Sequence, residues 1–512
     1  MSDSWNPGPE PTPRPNSSPC YGSTDYDYGG DIRCCKRETP DRISPLPDEI
    51  LLHILSFLPM LDVLKTDVLS KRWQYLWTSV PSICFSSSWF SSYLDDSRYF
   101  VDMVNKTLVL AGWAGTRKFT VEFADYVEEF AADVNLWVRF AAKNKIEELT
   151  LDLGDDYWSF NGSPYCLPEH LYVNSSLTEL SLSQCDLAPS GHVGWGCLKS
   201  LSIGCVELDE IVLQNILSGS PRLEFLKLQD FFGIDRVDIS NPSVKKLVIN
   251  GYEFRYDNED DEEGIDDQVY SSLEISGPNL HSLSILGSLK NTKFRVTNVA
   301  SLVEANLNFD IRYQHTADEE YEESQNIVRL LFQSLAGVQS LTIGTWCTKV
   351  LSTFDLENVA LPWLRSKKRK HLTIDTGYDK WELPGIASLL DYSYCLETLV
   401  ININPAFAGQ PYIGARFPDF CNSDRGSYWE IQDRAFWCLL RHLKTVKVNL
   451  LVEGGCGVKF LYFLLGKARY LEKMTVNPPR QYAWDKLFRA AQKLLSAPRS
   501  SPKAVVVFNA WH

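Results

Sequence analysis

The sequence predicts an α/β fold: a short all-helical module followed by an irregular solenoid of parallel strands stacked with helices. Three observations carry this. From about residue 98 a short line with apolar residues at fixed offsets keeps returning. Residues 41–80 show the 3.6-residue apolar spacing of helices instead. Residues 1–40 are too polar and proline-rich to build a core.

The first segment holds Pro7, Pro9, Pro11, Pro13, Pro15 and Pro19 among Ser, Asn and Gly. It cannot bury enough apolar surface to offset chain entropy, so 1–40 is expected to be disordered. It also lacks the apolar stretch of a secretory signal.

Residues 41–82 form the helical module. Pro47 suits a first helical position, and Asp48 and Glu49 place anions in the first turn. Ile50, Leu51, Ile54, Leu55 and Leu58 follow at helical spacing, and Pro59 ends the run. Asp62 is expected to cap a second helix carrying Val63, Leu64 and Val68. Ser70 is expected to cap a third, where Trp73, Leu76 and Trp77 share a face. About forty residues make a poor core alone, so large apolar groups at this density imply a partner over part of the surface.

The repeats occupy 98–430. Leu177-Thr-Glu-Leu180-Ser-Leu182-Ser-Gln-Cys185-Asp-Leu187 matches the leucine-rich-repeat line LxxLxLxxCxL at every defined position. Partial copies include Ile146-Leu149-Leu151, Leu198-Leu201-Ile203, Leu223-Leu226-Leu228, Val244-Leu247-Ile249, Leu280-Leu283-Ile285, Val338-Leu341-Ile343 and Leu396-Leu399-Ile401. A weaker copy ends in Leu372 and Ile374. From Leu149 to Leu180 is 31 residues, and from Leu247 to Leu283 is 36, so the repeats are irregular. Each supplies one short strand with two inward apolar residues, which only a stacked neighbour can cover. The last stretch, 431–512, alternates strands (445–450, 472–476, 504–508) with helices (458–468, 483–495) and is expected to close the stack.

Leu46-Pro-Asp-Glu-Ile-Leu51, Val68-Leu-Ser-Lys-Arg-Trp73 and Leu76-Trp77 together resemble an F-box. The repeat lines resemble those of plant F-box/leucine-rich-repeat proteins, and 442–476 resembles the FBD domain that ends many of them. The resemblance implies that the F-box docks the Skp adaptor of a Skp–cullin–F-box ubiquitin ligase while the repeats hold a protein substrate for ubiquitination. The matching F-box positions are Leu46, Pro47, Ile50, Leu51, Ile54, Leu55, Leu58, Val68, Leu69, Arg72, Trp73 and Trp77, as adaptor-facing or adaptor-supporting groups. Met60-Leu61 departs from the small or charged residue frequent there and bears on adaptor preference. An interaction scaffold whose F-box recruits no ligase is the alternative.

Composition narrows the classes. The net charge of −15 comes from two runs, eight acids in 257–267 and five in 318–323. The other 52 acidic residues balance 50 basic ones, which is not a nucleic-acid-binding body. Both runs read as solvated insertions. Arg365-Ser-Lys-Lys-Arg-Lys370 is either a solvated repeat loop or a nuclear-localisation patch. No apolar run is long enough to span a membrane, and the 13 scattered cysteines read as reduced thiols. Cytoplasm or nucleus is the expected location. No phosphate loop, nucleotide fingerprint, zinc spacing or nucleophile elbow occurs, so no catalytic residue, metal or cofactor is expected.

Strand side chains alternate in direction. With Leu180 and Leu182 inward, Glu179 and Ser181 face outward, as do Ser202, Phe225, Lys227, Lys246, Val248, Asn250, Thr342, His371 and Thr373 in their repeats. This outward face is the expected substrate surface, with Phe225, Lys227 and Lys246 as larger anchors; the connecting loops are the competing location.

Overall fold

The computed structural model describes residues 42–509 apart from 44, 75, 90–93, 111–114, 155–163, 253–270, 291, 313–316, 355–359, 405–427, 432–435, 450–455 and 479–483. The tail 1–40 and the acidic run 257–267 lie outside the described residues. The chain divides into two units, 1–47 and 48–512. In the first, the Leu46 N–H donates to the Ile43 carbonyl at 3.0 Å, closing a turn.

The second unit opens with α1 (Asp48–Leu55) and α2 (Met60–Lys65). Leu51, Leu55, Met60, Val63, Trp73 and Trp77 are buried in this module. It is less helical than its spacing predicts. Asp62 sits inside the first turn of α2 and pairs with Lys65 at 2.9 Å instead of capping the helix. Val68 falls in a 3-10 turn, Thr66–Val68. The predicted third helix is reduced to turns and a 3-10 segment, Leu76–Ser79. Both tryptophans are nonetheless buried.

Among the described residues, fifteen parallel strands of one sheet follow in strict chain order. They are β1 (Ser82–Ser86), β2 (Lys118–Glu122), β3 (Glu148–Asp152), β4 (Glu179–Ser183), β5 (Ser200–Glu207), β6 (Phe225–Phe232), β7 (Lys246–Tyr252) and β8 (Ser282–Lys290). Then come β9 (Glu304–Arg312), β10 (Ser340–Ile343), β11 (His371–Thr376), β12 (Thr398–Ile403), β13 (Thr445–Asn449), β14 (Lys473–Asn477) and β15 (Val505–Phe508). Sequential parallel strands with helices or short strands on the return path are the leucine-rich-repeat architecture.

The two inward residues of each repeat line up across the sheet. Leu180, Leu201, Leu226 and Leu247 form one row, and Leu182, Ile203, Leu228 and Ile249 the next. All are buried. The first repeats use aromatic groups for the same purpose: Phe100, Phe123 and Trp137 pack at ring-centroid distances of 5.0–6.2 Å, and Phe119 packs against Phe85 at 6.3 Å and Phe140 at 5.4 Å.

Several differences from the sequence reading have clear causes. Strand β1 precedes the expected start of the repeats because Ile83 and Phe85, not leucines, are its inward pair. Strand β9 carries Ala305 in register with Leu283 and Leu341, which hid it from a leucine pattern. The acidic run 318–323 is not a loop insertion: it lies in the first turns of a helix, Ala317–Ser334, where carboxylates favour the positive end of the helix dipole. Arg236–Asp238, Ser271–Ser276 and Thr292–Thr297 form a second, three-stranded sheet on the return side.

Candidate functional site

The twelve F-box positions divide by exposure. Leu51, Leu55, Trp73 and Trp77 are buried and hold the module together. Ile50 (46% exposed), Ile54 (39%), Leu58 (41%), Val68 (87%) and Leu69 (63%) open to solvent. Phe57, exposed by 74%, belongs with them; its spacing puts it off the buried stripe of α1, so helical periodicity does not single it out. Its ring packs edge-on to His53 at 4.8 Å. Arg72 donates to Asp48 at 2.6 Å, tying the last turns back to the start of α1. Leu46 is half-buried and Pro47 exposed. The second unit's module therefore has a complete core and, separately, six exposed large apolar side chains within twenty residues.

The outward sheet face is the second candidate. Glu179, Lys246 and His371 are exposed, while Ser181, Ser202, Phe225, Lys227, Asn250, Thr342 and Thr373 are half-buried among their neighbours. The register sets Ser181, Ser202 and Lys227 in one row and Phe225 beside Lys246 in another. The Lys246 Nζ stands 5.4 Å from the Phe225 ring centroid, so these two act as a cation–π pair and not as separate anchors. Val248 faces the same way, in register with Lys227 and Ser284, but is buried.

Toward the C-terminal end this face carries a ladder of amides. Asn509 donates to Asn477 (2.8 Å), Asn477 to Asn449 (2.6 Å), Asn449 to Asn402 (2.6 Å) and Asn402 to Asp375 Oδ1 (2.6 Å). From the other side Asn308 donates to Asp375 Oδ2 at 3.0 Å. A carboxylate only accepts, so Asp375 sets the direction of every amide in the run.

Beneath the sheet's C-terminal ends lies a charged cluster with no solvent contact. Lys349 Nζ is 3.6 Å from Asp379 Oδ2, and Asp379 N–H donates to Glu382 Oε2 at 3.1 Å. Thr348 Oγ1 lies 3.2 Å from Glu382 Oε1 and 2.9 Å from the Thr345 carbonyl. Burial, then the Asp379 carboxylate, pushes Glu382 up to about 7. Arg369, in the basic run 365–370, is fully buried, donates to Ser393 and packs against Phe332. Lys370 pairs with Glu397. That run is therefore partly structural.

A cavity of about 420 Å³ opens on the return side between Leu273, Phe294, Arg295, Glu323 and Ile327. The described cysteines are free, and burial raises Cys185, Cys347 and Cys438, which makes them poor nucleophiles. Among the described residues no cluster of His, Cys, Asp or Glu is placed to hold a metal ion, and no helix is long and apolar enough to cross a membrane.

The exposed apolar module ahead of the stacked repeats defines a class, an F-box joined to a leucine-rich-repeat solenoid. The F-box domain model matches residues 43–85, and the leucine-rich repeats of the FBD-associated F-box protein At5g56370 match residues 134–269. Relatives in Arabidopsis thaliana include the F-box/LRR-repeat protein At5g02910, 31% identical over 71% of this chain and 72% of that protein. The putative F-box/LRR-repeat protein At3g18150 is 28% identical over 86% of this chain and 87% of its own length. The putative F-box/LRR-repeat protein At5g54820 is 26% identical over 81% and 85%. The chain belongs to the plant F-box/leucine-rich-repeat family.

Proposed function

We propose that this chain is the substrate-recognition subunit of a Skp–cullin–F-box ubiquitin ligase. Its F-box docks a Skp-type adaptor, and through it a cullin; its repeats hold a target protein for ubiquitination and proteasomal degradation. It catalyses nothing itself. F-box domains generally bind Skp-type adaptors, and proteins of this family are typically non-catalytic. The observation that carries the reading is the exposure of Ile50, Ile54, Phe57, Leu58, Val68 and Leu69 on a module whose core is already complete without them. Leaving such a surface in water is unfavourable, by about 25 cal/mol per Å² of apolar area, and a partner's apolar groove removes the cost.

The test is adaptor capture by the full chain. Leu58→Asp with Val68→Asp is expected to abolish it while the circular-dichroism spectrum stays unchanged. Leu46→Ala with Pro47→Ala should weaken it. Undiminished capture by the double aspartate variant sinks the docking surface. A wild-type chain that captures no adaptor but still captures a target leaves the scaffold reading standing.

A further inference from the structure

The two ends of the fifteen-stranded sheet are finished differently. At the first end α2 packs on β1, and the inward pair Ile83 and Phe85 is fully buried. At the last end, β15 pairs with β14 alone among the described residues. Its inward residues Val506 and Phe508 are half-exposed, whereas their neighbours Met474 and Val476 are buried. Among the described residues no strand pairs beyond β15, and the core rows end there.

The hydrogen-bonding groups there are equally open. Val505 N–H donates back to Glu472 O and Asn509 N–H to Val476 O. Alternation along a strand turns the N–H and C=O of Val506 and Phe508 to the opposite side, away from β14. The amide ladder ends at the same place. Because Asp375 directs each Nδ2 toward itself, Asn509 leaves its Oδ1 at the free edge as an acceptor.

Charge selects the occupant. Residues 486–512 contain no Asp or Glu in a chain of net charge −15. Arg489, Lys493 and Lys503 are exposed beside apolar Phe488, Leu495 and Val505. A second copy pairing edge to edge would set these cations against their own duplicates.

We propose that β15 is a docking edge for an acidic partner segment that adds as a sixteenth strand. That segment has aliphatic residues at alternate positions, to cover Val506 and Phe508. It carries Asn or Gln in register with Asn509, and acids that face Arg489 and Lys493. Main-chain bonds supply affinity and the alternating side chains supply selectivity, as in strand addition generally.

The probe is a fluorescein-labelled synthetic peptide of alternating Asp and Val ending in Asn, titrated against the full chain by anisotropy. Binding is expected, and it should weaken as salt rises. Val506→Pro removes an edge-facing N–H without removing a bond to β14, a placement proline tolerates on an edge strand. It should weaken binding by about tenfold or more. Arg489→Glu with Lys493→Glu, on the surface helix Trp484–Leu495, should do the same and decides the matter if the proline disturbs β15. Replacing the peptide's Asn with Asp should also weaken it. No binding by the wild-type chain at millimolar peptide, or binding undiminished by the charge reversal, overturns the proposal. So does sedimentation showing a dimer that Val506→Pro dissolves, since that assigns the edge to a second copy.

Discussion

Asn308 on β9 donates to Asp375 on β11 at 3.0 Å, although β10 lies between them. The bridge exists because Gly344, the residue directly after β10, stands at that row. A Cβ on Gly344 would run into the Asn308 side-chain oxygen and lie 3.0 Å from the Asn308 Cα. Gly344→Ala should therefore lower stability by about 1–3 kcal/mol, with Thr342→Ala, on the same strand, nearly silent. Equal unfolding midpoints in urea for the two variants would show that the bridge is incidental.

The buried Lys349–Asp379–Glu382 cluster should make stability depend on pH. Thr348 has one hydroxyl hydrogen and a nearer acceptor in the Thr345 carbonyl. A proton on Glu382 can therefore be donated to Thr348 Oγ1. The folded carboxyl titrates at about 7 against an ordinary value of 4.5. The contribution of protonated Glu382 is complete below 4.5, falls as pH rises through about 7, and is flat beyond. Its size is at most about 3 kcal/mol. Glu382→Gln, which mimics the protonated form, should flatten the pH dependence of the urea midpoint between pH 4.5 and about 7. An unchanged slope in that variant would place the proton elsewhere.

Docking and folding should separate within the F-box. Trp73→Ala opens a cavity in a very small core and should cost about 3–5 kcal/mol. Val68→Asp should leave stability within about 0.5 kcal/mol yet break adaptor capture. Melting curves run beside pull-downs distinguish the two; a strongly destabilised Val68→Asp would mean that Val68 packs inside the module.

Phe225 and Lys246 should be coupled. A double-mutant cycle with Phe225→Ala and Lys246→Ala is expected to give about 0.5–1 kcal/mol of interaction in stability. Once a target is in hand, Phe225→Ala with Lys227→Ala should reduce its capture and leave adaptor capture intact. Target capture that survives moves the substrate surface to the loops. A cycle energy near zero would leave the pair as two independent anchors.

The sequence by itself determined the architecture, because that architecture is periodic. A leucine pattern such as Leu180 and Leu182 states which residues point inward, and stacking is the only way to cover them. It also determined the F-box, since Leu46-Pro47 and Arg72-Trp73 stand at recognisable spacing. Where other side chains took over the leucine's place, as Ala305 and Phe85 did, the strand was invisible until its neighbours stood beside it. Tertiary structure alone decided which F-box residues face solvent, because helical spacing marks a stripe and not what lies against it. It alone joined Asn308, Asp375, Asn402, Asn449, Asn477 and Asn509. Those residues are scattered over two hundred positions, and parallel register, set by the packing of the inward rows, is what brings them into one line.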